Sequence, residues 1–339
     1  MAPLRLGSIK LDVPFFQGAM SGYSDYAMRS LAKDFGSPLA LTGVMLAKSA
    51  ADPRVLKNSA FHPHADEHPV GAQILGEDPQ IMVKAAKALV GLGYDLIDLN
   101  FACPAPKVLR RQRGGAMLNR PSQVVDIYRA VREAVTCPVL MKLRIGIDHS
   151  ERSRDCFVEI VERVADYGID ALVIHGRTVD QKYGGKADWQ VLAEVKRRFP
   201  QTAILGSGDL FDAATVLQRL QTSGLDGAVI ARGAVGNPWL IRDVRAALEG
   251  RPLPPPPTIE EQRQIIRLHF EGVLELHRPE KRAVGYFRKF MVGYAKRHPQ
   301  RKKVLMTLLA AKTADQLLAG IEQWYSKDSV ERGAQGGLA

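Results

Sequence analysis

Cys103 is one of three cysteines in a chain of 339 residues. It stands in "LNFACPAPKVLRRQRGGAML" (99–118), between an apolar run and a loop of arginines and glycines. A thiol placed in such a loop can act as a general acid when it reaches a developing carbanion. Two further groups suit the same centre: Lys142 in "PVLMKLR" (138–144) and His175 in "DALVIHG" (170–176), each inside an otherwise apolar run. A buried ammonium needs an anionic or electron-rich partner to offset its desolvation. A bound cofactor and an internal ion pair with Asp98 both satisfy that need. His175 is open to a similar double reading, as a site residue or as a satisfied core histidine. No second His, Cys or carboxylate has metal-ligand spacing around it, so no zinc or iron site is expected. Cys137 and Cys156 match no motif and read as core thiols; without CxxC pairs, the cysteines point to a reducing cytoplasm.

Groups so far apart in sequence need elements that converge. Apolar runs at 13–20, 39–45, 69–75, 95–101, 138–144, 170–176, 202–208 and 226–232 alternate with helical patterns such as "DPQIMVKAAKALVGLG" and "FDAATVLQRLQTSG". That alternation is the signature of parallel βα units. About eight repeats and no GxGxxG turn predict an α/β fold, a closed (β/α)8 TIM barrel over residues 1–250, rather than an open Rossmann sheet. Active sites form at the C-terminal ends of such strands. There fall Met20 and Ser21, Gln73, Asn100 with Cys103, Lys142 with Arg144, His175 with Arg177, Ser207 with Asp209, and Arg232 with Gly233. "GSGDL" (206–210) and "ARGAVGNPW" (231–239) add small residues and backbone N–H groups where barrels hold phosphates, which together favour a phosphorylated ligand.

The proline run in "EGRPLPPPPTIEE" (249–261) can continue neither helix nor central strand, and predicts a linker at 251–257. Residues 258–326 have helical periodicity and predict a small all-α bundle; 327–339 read as a frayed tail. Lys and Arg outnumber Asp and Glu, 47 against 36, which suits a polyanionic partner. In "EKRAVGYFRKFMVGYAKRHPQRKK" (280–303) basic residues interleave with Tyr286, Phe287, Phe290 and Tyr294, a composition that suits RNA. At helical spacing the aromatics read as core, leaving Arg288, Lys289, Lys296 and Arg297 as contact candidates. The loop after Cys103 adds Lys107, Arg110, Arg111 and Arg113. No window approaches the roughly 18 uninterrupted apolar residues of a membrane span, and the N-terminus lacks the apolar stretch of a leader, so neither is expected.

In order and spacing these segments resemble those of the bacterial, FMN-dependent tRNA-dihydrouridine synthases. "NFACPAPKV…GGAML" is similar to the family's cysteine loop, and "MKLRIG" (141–146), "IHGRT" (174–178), "GKADW" (185–189), "SGD" (207–209) and "ARGAVGNPW" to its later signatures. "FRKFMVGY" resembles its tRNA-binding segment. The resemblance implies reduction of uridine to 5,6-dihydrouridine in tRNA, with hydride from reduced flavin N5 to uracil C6, a proton from Cys103 to C5, and NADPH as reductant. It implies that Ala19, Met20, Ser21, Gln73, Lys142 and His175 lie beside the flavin ring, where a lysine stabilises negative charge. Ser207, Gly208, Asp209, Ala231, Arg232 and Gly233 would hold the ribityl and phosphate portions. Asn100, Arg144 and Arg177 would join the basic residues above in contact with RNA, and the cysteine loop would close over the target base. A monomer is expected, which leaves the basic face free. The chain departs from the family pattern at Ala19 (usually Pro), Ala102 (Gly), Ser207 (Asn) and Ala231 (Gly). Two other readings compete: a flavin-dependent reductase of a small molecule, of dihydroorotate or enoate type, and a non-catalytic RNA-binding protein. The basic helical segment stands against the first, the set Cys103, Lys142 and His175 against the second.

Overall fold

Successive residues of a strand point to opposite faces. In the computed structural model of the chain, which describes residues 3–326, that alternation sorts the apolar residues into two cores. A hairpin comes first, β1 (Leu4–Leu6) and β2 (Ile9–Leu11). The parallel strands follow: β3 (Phe15–Gln17), β4 (Ala40–Leu41), β5 (Met45–Leu46), β6 (Val70–Leu75), β7 (Leu96–Asn100), β8 (Val139–Arg144), β9 (Ala171–His175), β10 (Ile204–Ser207) and β11 (Gly227–Ile230). They pair in the order β4-β3-β11-β10-β9-β8-β7-β6-β5, and a further pairing of β4 with β6 closes the ring. Phe16, Leu41, Leu96, Leu140, Val173, Leu205 and Val229 fill the inside. Their neighbours Phe15, Ile97, Met141, Ile174 and Ile204 face outward into the helices.

The hairpin is a feature the expected elements did not include. Leu4, Leu6 and Leu11 belong to the inner core, and Leu4 reaches Gly227 at the start of β11, so the hairpin plugs the N-terminal end of the barrel. The second expected strand is split: β4 and β5 flank Thr42–Val44, where the Thr42 hydroxyl accepts the Gln73 N–H at 3.2 Å.

The register carries the polar residues up the wall like a staircase. Gln73 lies opposite Asp98, Asn100 opposite Lys142, Arg144 opposite His175, and His175 opposite Ser207. Residues two apart on a strand share a face. The face bearing Leu96 in the apolar floor therefore also bears Asp98 and Asn100, and the face bearing Leu140 bears Lys142 and Arg144.

Residues 251–257 contain neither helix nor strand, and helices follow at Ile259–Leu276, Glu280–Tyr294, Arg301–Ala310 and Ala314–Trp324. A capping box between Thr258 and Glu261 starts the first of them. Phe287, Phe290 and Tyr294 are buried, as their spacing predicted, in the same cluster as Met28 and Trp239 of the barrel helices, while Tyr286 is only half-buried against it. At Gly236 and Gly293 the backbones of the two parts touch: a methyl group on Gly293 would collide with the Val235 carbonyl, and one on Gly236 with the Phe290 carbonyl. The stretch expected to fray, 327–339, lies outside the described residues. Among the described residues no helix is long and apolar enough to cross a membrane.

Candidate active site

A cavity of ≈ 790 Å³ opens at the C-terminal ends of the strands, within the size range of small-molecule sites. Ala19, Met20, Ser21, Gln73, Lys142, His175, Ser207, Gly208, Asp209, Ala231, Arg232 and Gly233 all line it, with Asn100, Cys103 and Arg144. The sequence places these residues at the ends of seven different strands; barrel closure brings them to one wall.

Cys103 is half-buried, and its backbone is held from both sides. Asn100 Oδ1 accepts the N–H groups of Ala102 and Cys103, each at 3.0 Å, and the Cys103 carbonyl accepts the Gly115 N–H at 3.0 Å. Gly114, at φ 57°, sits where a side chain would press on the Cys103 Cβ and carbonyl. The glycine pair after the cysteine thus has a packing reason. Ala102, a departure from the family pattern, is buried, and its carbonyl accepts from Arg144 Nε at 2.9 Å.

Lys142 exposes part of its stem to the cavity, while its ammonium nitrogen is sealed from solvent with no hydrogen-bond partner. Burial pushes its pKa down to about 8, against a smaller opposing pull from the Asp98 charge. Asp98, fully buried beneath it, is pushed up to about 6 by burial. The two do not form the direct ion pair that the sequence left open. His175 Nδ1 is also sealed and unpartnered. Burial first, then the charges of Lys142, Arg144, Arg177 and Arg232, drive its pKa far below the usual imidazole range, so His175 is neutral at pH 7.

Asp209 has a left-handed backbone, φ 57°, which aspartate tolerates better than most residues. Its carboxylate is already engaged by Arg177, at 2.7 and 2.8 Å, and by the Ala187 N–H at 2.8 Å. Arg232 lies 3.5 Å from it and stacks between two rings the sequence reading missed, Tyr183 at 4.3 Å and Phe211 at 5.5 Å. Tyr183 and Phe211 are 55% and 50% exposed at the cavity, which polar loop composition around them does not advertise.

The residues expected on RNA divide. Lys107, Arg110 and Arg111 are exposed on and just after the short helix Pro106–Leu109 beyond Cys103, and Lys296 is exposed at the cavity rim. Lys289 lines the cavity, its ammonium over the Tyr286 ring at 3.2 Å and bonded to the Gly22 carbonyl. Six others are engaged within the protein. Asn100 is buried and holds the cysteine loop, and Arg144 is buried on the carbonyls of Ala102, Thr178 and Lys182. Arg177 is buried on Gly184, Gly185 and Asp209. Arg113 pairs with Glu77, Arg288 bonds the Ala311 carbonyl, and Arg297 bonds Asn237 Oδ1. These guanidinium and amide groups serve the protein's own loops.

A family model described as "Dihydrouridine synthase (Dus)" matches residues 17–327. A "Probable tRNA-dihydrouridine synthase" of Mycobacterium tuberculosis (strain CDC 1551 / Oshkosh) is 32% identical over 353 residues, covering 99% of this chain and 90% of the relative. The "tRNA-dihydrouridine synthase B" of Xanthomonas axonopodis pv. citri is 32% identical over 326 residues, covering 95% of this chain and 96% of the relative. Among solved structures, morphinone reductase is similar at TM-score 0.51 and 14% identity, over 75% of this chain and 90% of that one. An old yellow enzyme homologue from Zymomonas mobilis is similar at TM-score 0.55 and 15% identity, over 74% and 93%. At such identities the structures speak to the barrel fold.

Proposed function

The chain belongs to the dihydrouridine synthase family, and from that premise we propose that it reduces uridine to 5,6-dihydrouridine in tRNA, with FMN in the barrel cavity and NADPH as the source of electrons. The observation that carries this reading is the sealed, unpartnered ammonium of Lys142 on a cavity wall that also holds Cys103. A buried cation without a partner calls for an electron-rich ligand. The donor set fits FMN: Lys142, neutral His175 and Gln73 stand where a polar ring edge can be bonded, while Arg232 and the backbone of Gly208 and Gly233 offer donors for a phosphate. When bound, the flavin supplies hydride for C6 of uracil. Cys103 gives the proton that C5 takes, so one hydride and one proton saturate the C5–C6 double bond. Lys142 balances negative charge on the ring system beside it, and His175, uncharged, adds a hydrogen bond without adding charge.

Cofactor affinity should then follow the Lys142 proton. An anionic ligand raises the lysine pKa above its free value of about 8, so the dissociation constant for FMN should be flat below pH 8. Above it, affinity should weaken by up to about tenfold per pH unit until the bound-state pKa is passed. Flavin fluorescence titration at pH 7, 8, 9 and 10 measures this; affinity that does not change over that range would remove Lys142 from the cofactor.

Lys107, Arg110 and Arg111, just beyond the cavity-lining stretch 103–106, and Lys296 at the cavity rim are exposed cations, and we assign them to tRNA phosphates. Arg110→Glu with Arg111→Glu should raise KM for tRNA by about tenfold or more and flatten its dependence on salt, while NADPH oxidation stays within twofold. The reading as a whole is tested by incubating purified protein, FMN and NADPH with an unmodified tRNA transcript and analysing the nucleosides by mass spectrometry. Dihydrouridine is the expected product. Salt-insensitive turnover of a free pyrimidine or enoate, with untouched tRNA, would replace RNA by a small molecule.

A further inference from the structure

Three buried side chains link the barrel interior to the cysteine loop. Asp98 Oδ2 accepts from Gln73 Nε2 at 2.7 Å, Gln73 Oε1 accepts from Asn100 Nδ2 at 2.6 Å, and Asn100 Oδ1 accepts the backbone N–H of Ala102 and of Cys103. Asp98, Gln73 and Asn100 are 0%, 1% and 7% exposed, so water does not compete for these bonds. The chain has a sense. An ionised carboxylate only accepts, a backbone N–H only donates, and each side-chain amide can face either way. With an acceptor at one end and two donors at the other, only one orientation of both amides makes every bond. Turning either amide over sets oxygen against oxygen or N–H against N–H in a place with no solvent to relieve it.

We propose that Asp98 is a positioning residue for this reaction: its carboxylate fixes the orientation of the Gln73 and Asn100 amides and through them holds Cys103 in place. The role in catalysis rests on the reading of the reaction given above; the role in holding the loop does not. Lys142 contributes from the same interior, since its positive charge favours the ionised, accept-only form of Asp98 against the effect of burial.

The test compares Asp98→Leu, which ends the chain, with Asp98→Asn, which still offers Gln73 an oxygen. Amide hydrogen exchange is read at Ala102 and Cys103, next to turnover. Exchange at both amides should be at least tenfold faster in Asp98→Leu, and within about threefold of wild type in Asp98→Asn. The kcat for dihydrouridine formation should fall at least tenfold in Asp98→Leu with KM for tRNA unchanged, and recover in Asp98→Asn. If Asp98→Leu fails to fold, Gln73→Met breaks the same chain at its middle link and should speed the same two amides. Wild-type exchange at Ala102 and Cys103 in whichever variant folds would overturn the proposal, as would equal loss of kcat in the Asn and Leu variants. If wild-type protein makes no dihydrouridine, the reading of the reaction fails, while the exchange data still decide whether Asp98 holds the loop.

Discussion

Cys103→Ala is expected to keep its flavin and oxidise NADPH within about twofold of the wild-type rate, yet to form dihydrouridine some 10²–10⁴-fold more slowly, the range for removing a positioned proton donor. The structure makes this an unusually separable experiment. The loop is held through the backbone of Cys103, by Asn100 Oδ1 on its N–H and by Gly115 N–H on its carbonyl, and none of these bonds involves the sulfur. Alanine retains all of them, so loss of activity reports the thiol and not the position of the loop. Mass spectrometry of digested tRNA follows the product, and absorbance at the nicotinamide band follows the reductant. Full dihydrouridine formation by the variant would place the proton donor on another group of the cavity.

Lys142→Met should move stability and activity in opposite directions. In the flavin-free chain the lysine has a folded pKa of about 8 against an ordinary value of 10.5, so folding disfavours its ammonium form. That cost is present in full below pH 8 and is relieved as pH rises from 8 to 10.5, where the unfolded chain still binds the proton that the folded chain has lost. Methionine fills a similar volume without the charge. The gain at pH 7 is bounded at about 3 kcal/mol by the lysine pKa. It is reduced because Asp98, left without the nearby cation, must take up a proton; replacement of buried charge by an apolar group commonly yields about 1–4 kcal/mol. Urea unfolding of the flavin-free variant should therefore show greater stability than wild type at pH 7 and a smaller advantage near pH 10. The same variant should bind FMN at least tenfold more weakly and reduce uridine at least a hundredfold more slowly. A methionine variant less stable than wild type at pH 7 would mean that Asp98 and Lys142 act as a mutually satisfied pair.

Much of this centre could be read from residue order. All the barrel strands but β5 lie inside the apolar runs, because residues buried on both faces give continuous hydrophobic stretches that interrupt the helical pattern. The polar residues at the strand ends then meet in one cavity, since inward positions recur every second residue and the closed ring aims them all at one axis. The N-terminal hairpin was legible too, in the alternation of Leu4, Leu6, Ile9 and Leu11 about Gly7, but it is short and lies outside the repeating units. The arginines were not legible. Charge on a loop suggests solvent or phosphate, whereas Arg144 and Arg177 are buried on carbonyls and a carboxylate from 7 to 42 residues away. Nothing in local composition announces an acceptor that only tertiary folding supplies. Tyr183 and Phe211 escaped for the same reason: their significance lies in flanking Arg232, which belongs to another strand end.

The glycines at 236 and 293 bear on how the molecule can change over evolution as well as on how it works. Where two parts of a chain meet through side chains, the contact can be repacked residue by residue, and a module can be traded for another. Here main chain also meets main chain, at Gly236 just after the loop that carries Arg232 and at Gly293 within the helix that carries Lys289. Around those two points ring packs on ring, Tyr23 against Phe290 and Trp239 against Tyr294, so a side chain added at either glycine would have to part a seam that is already filled. The helical segment is accordingly joined to the barrel at positions that admit no side chain, and exchanging it for another would require glycine at both.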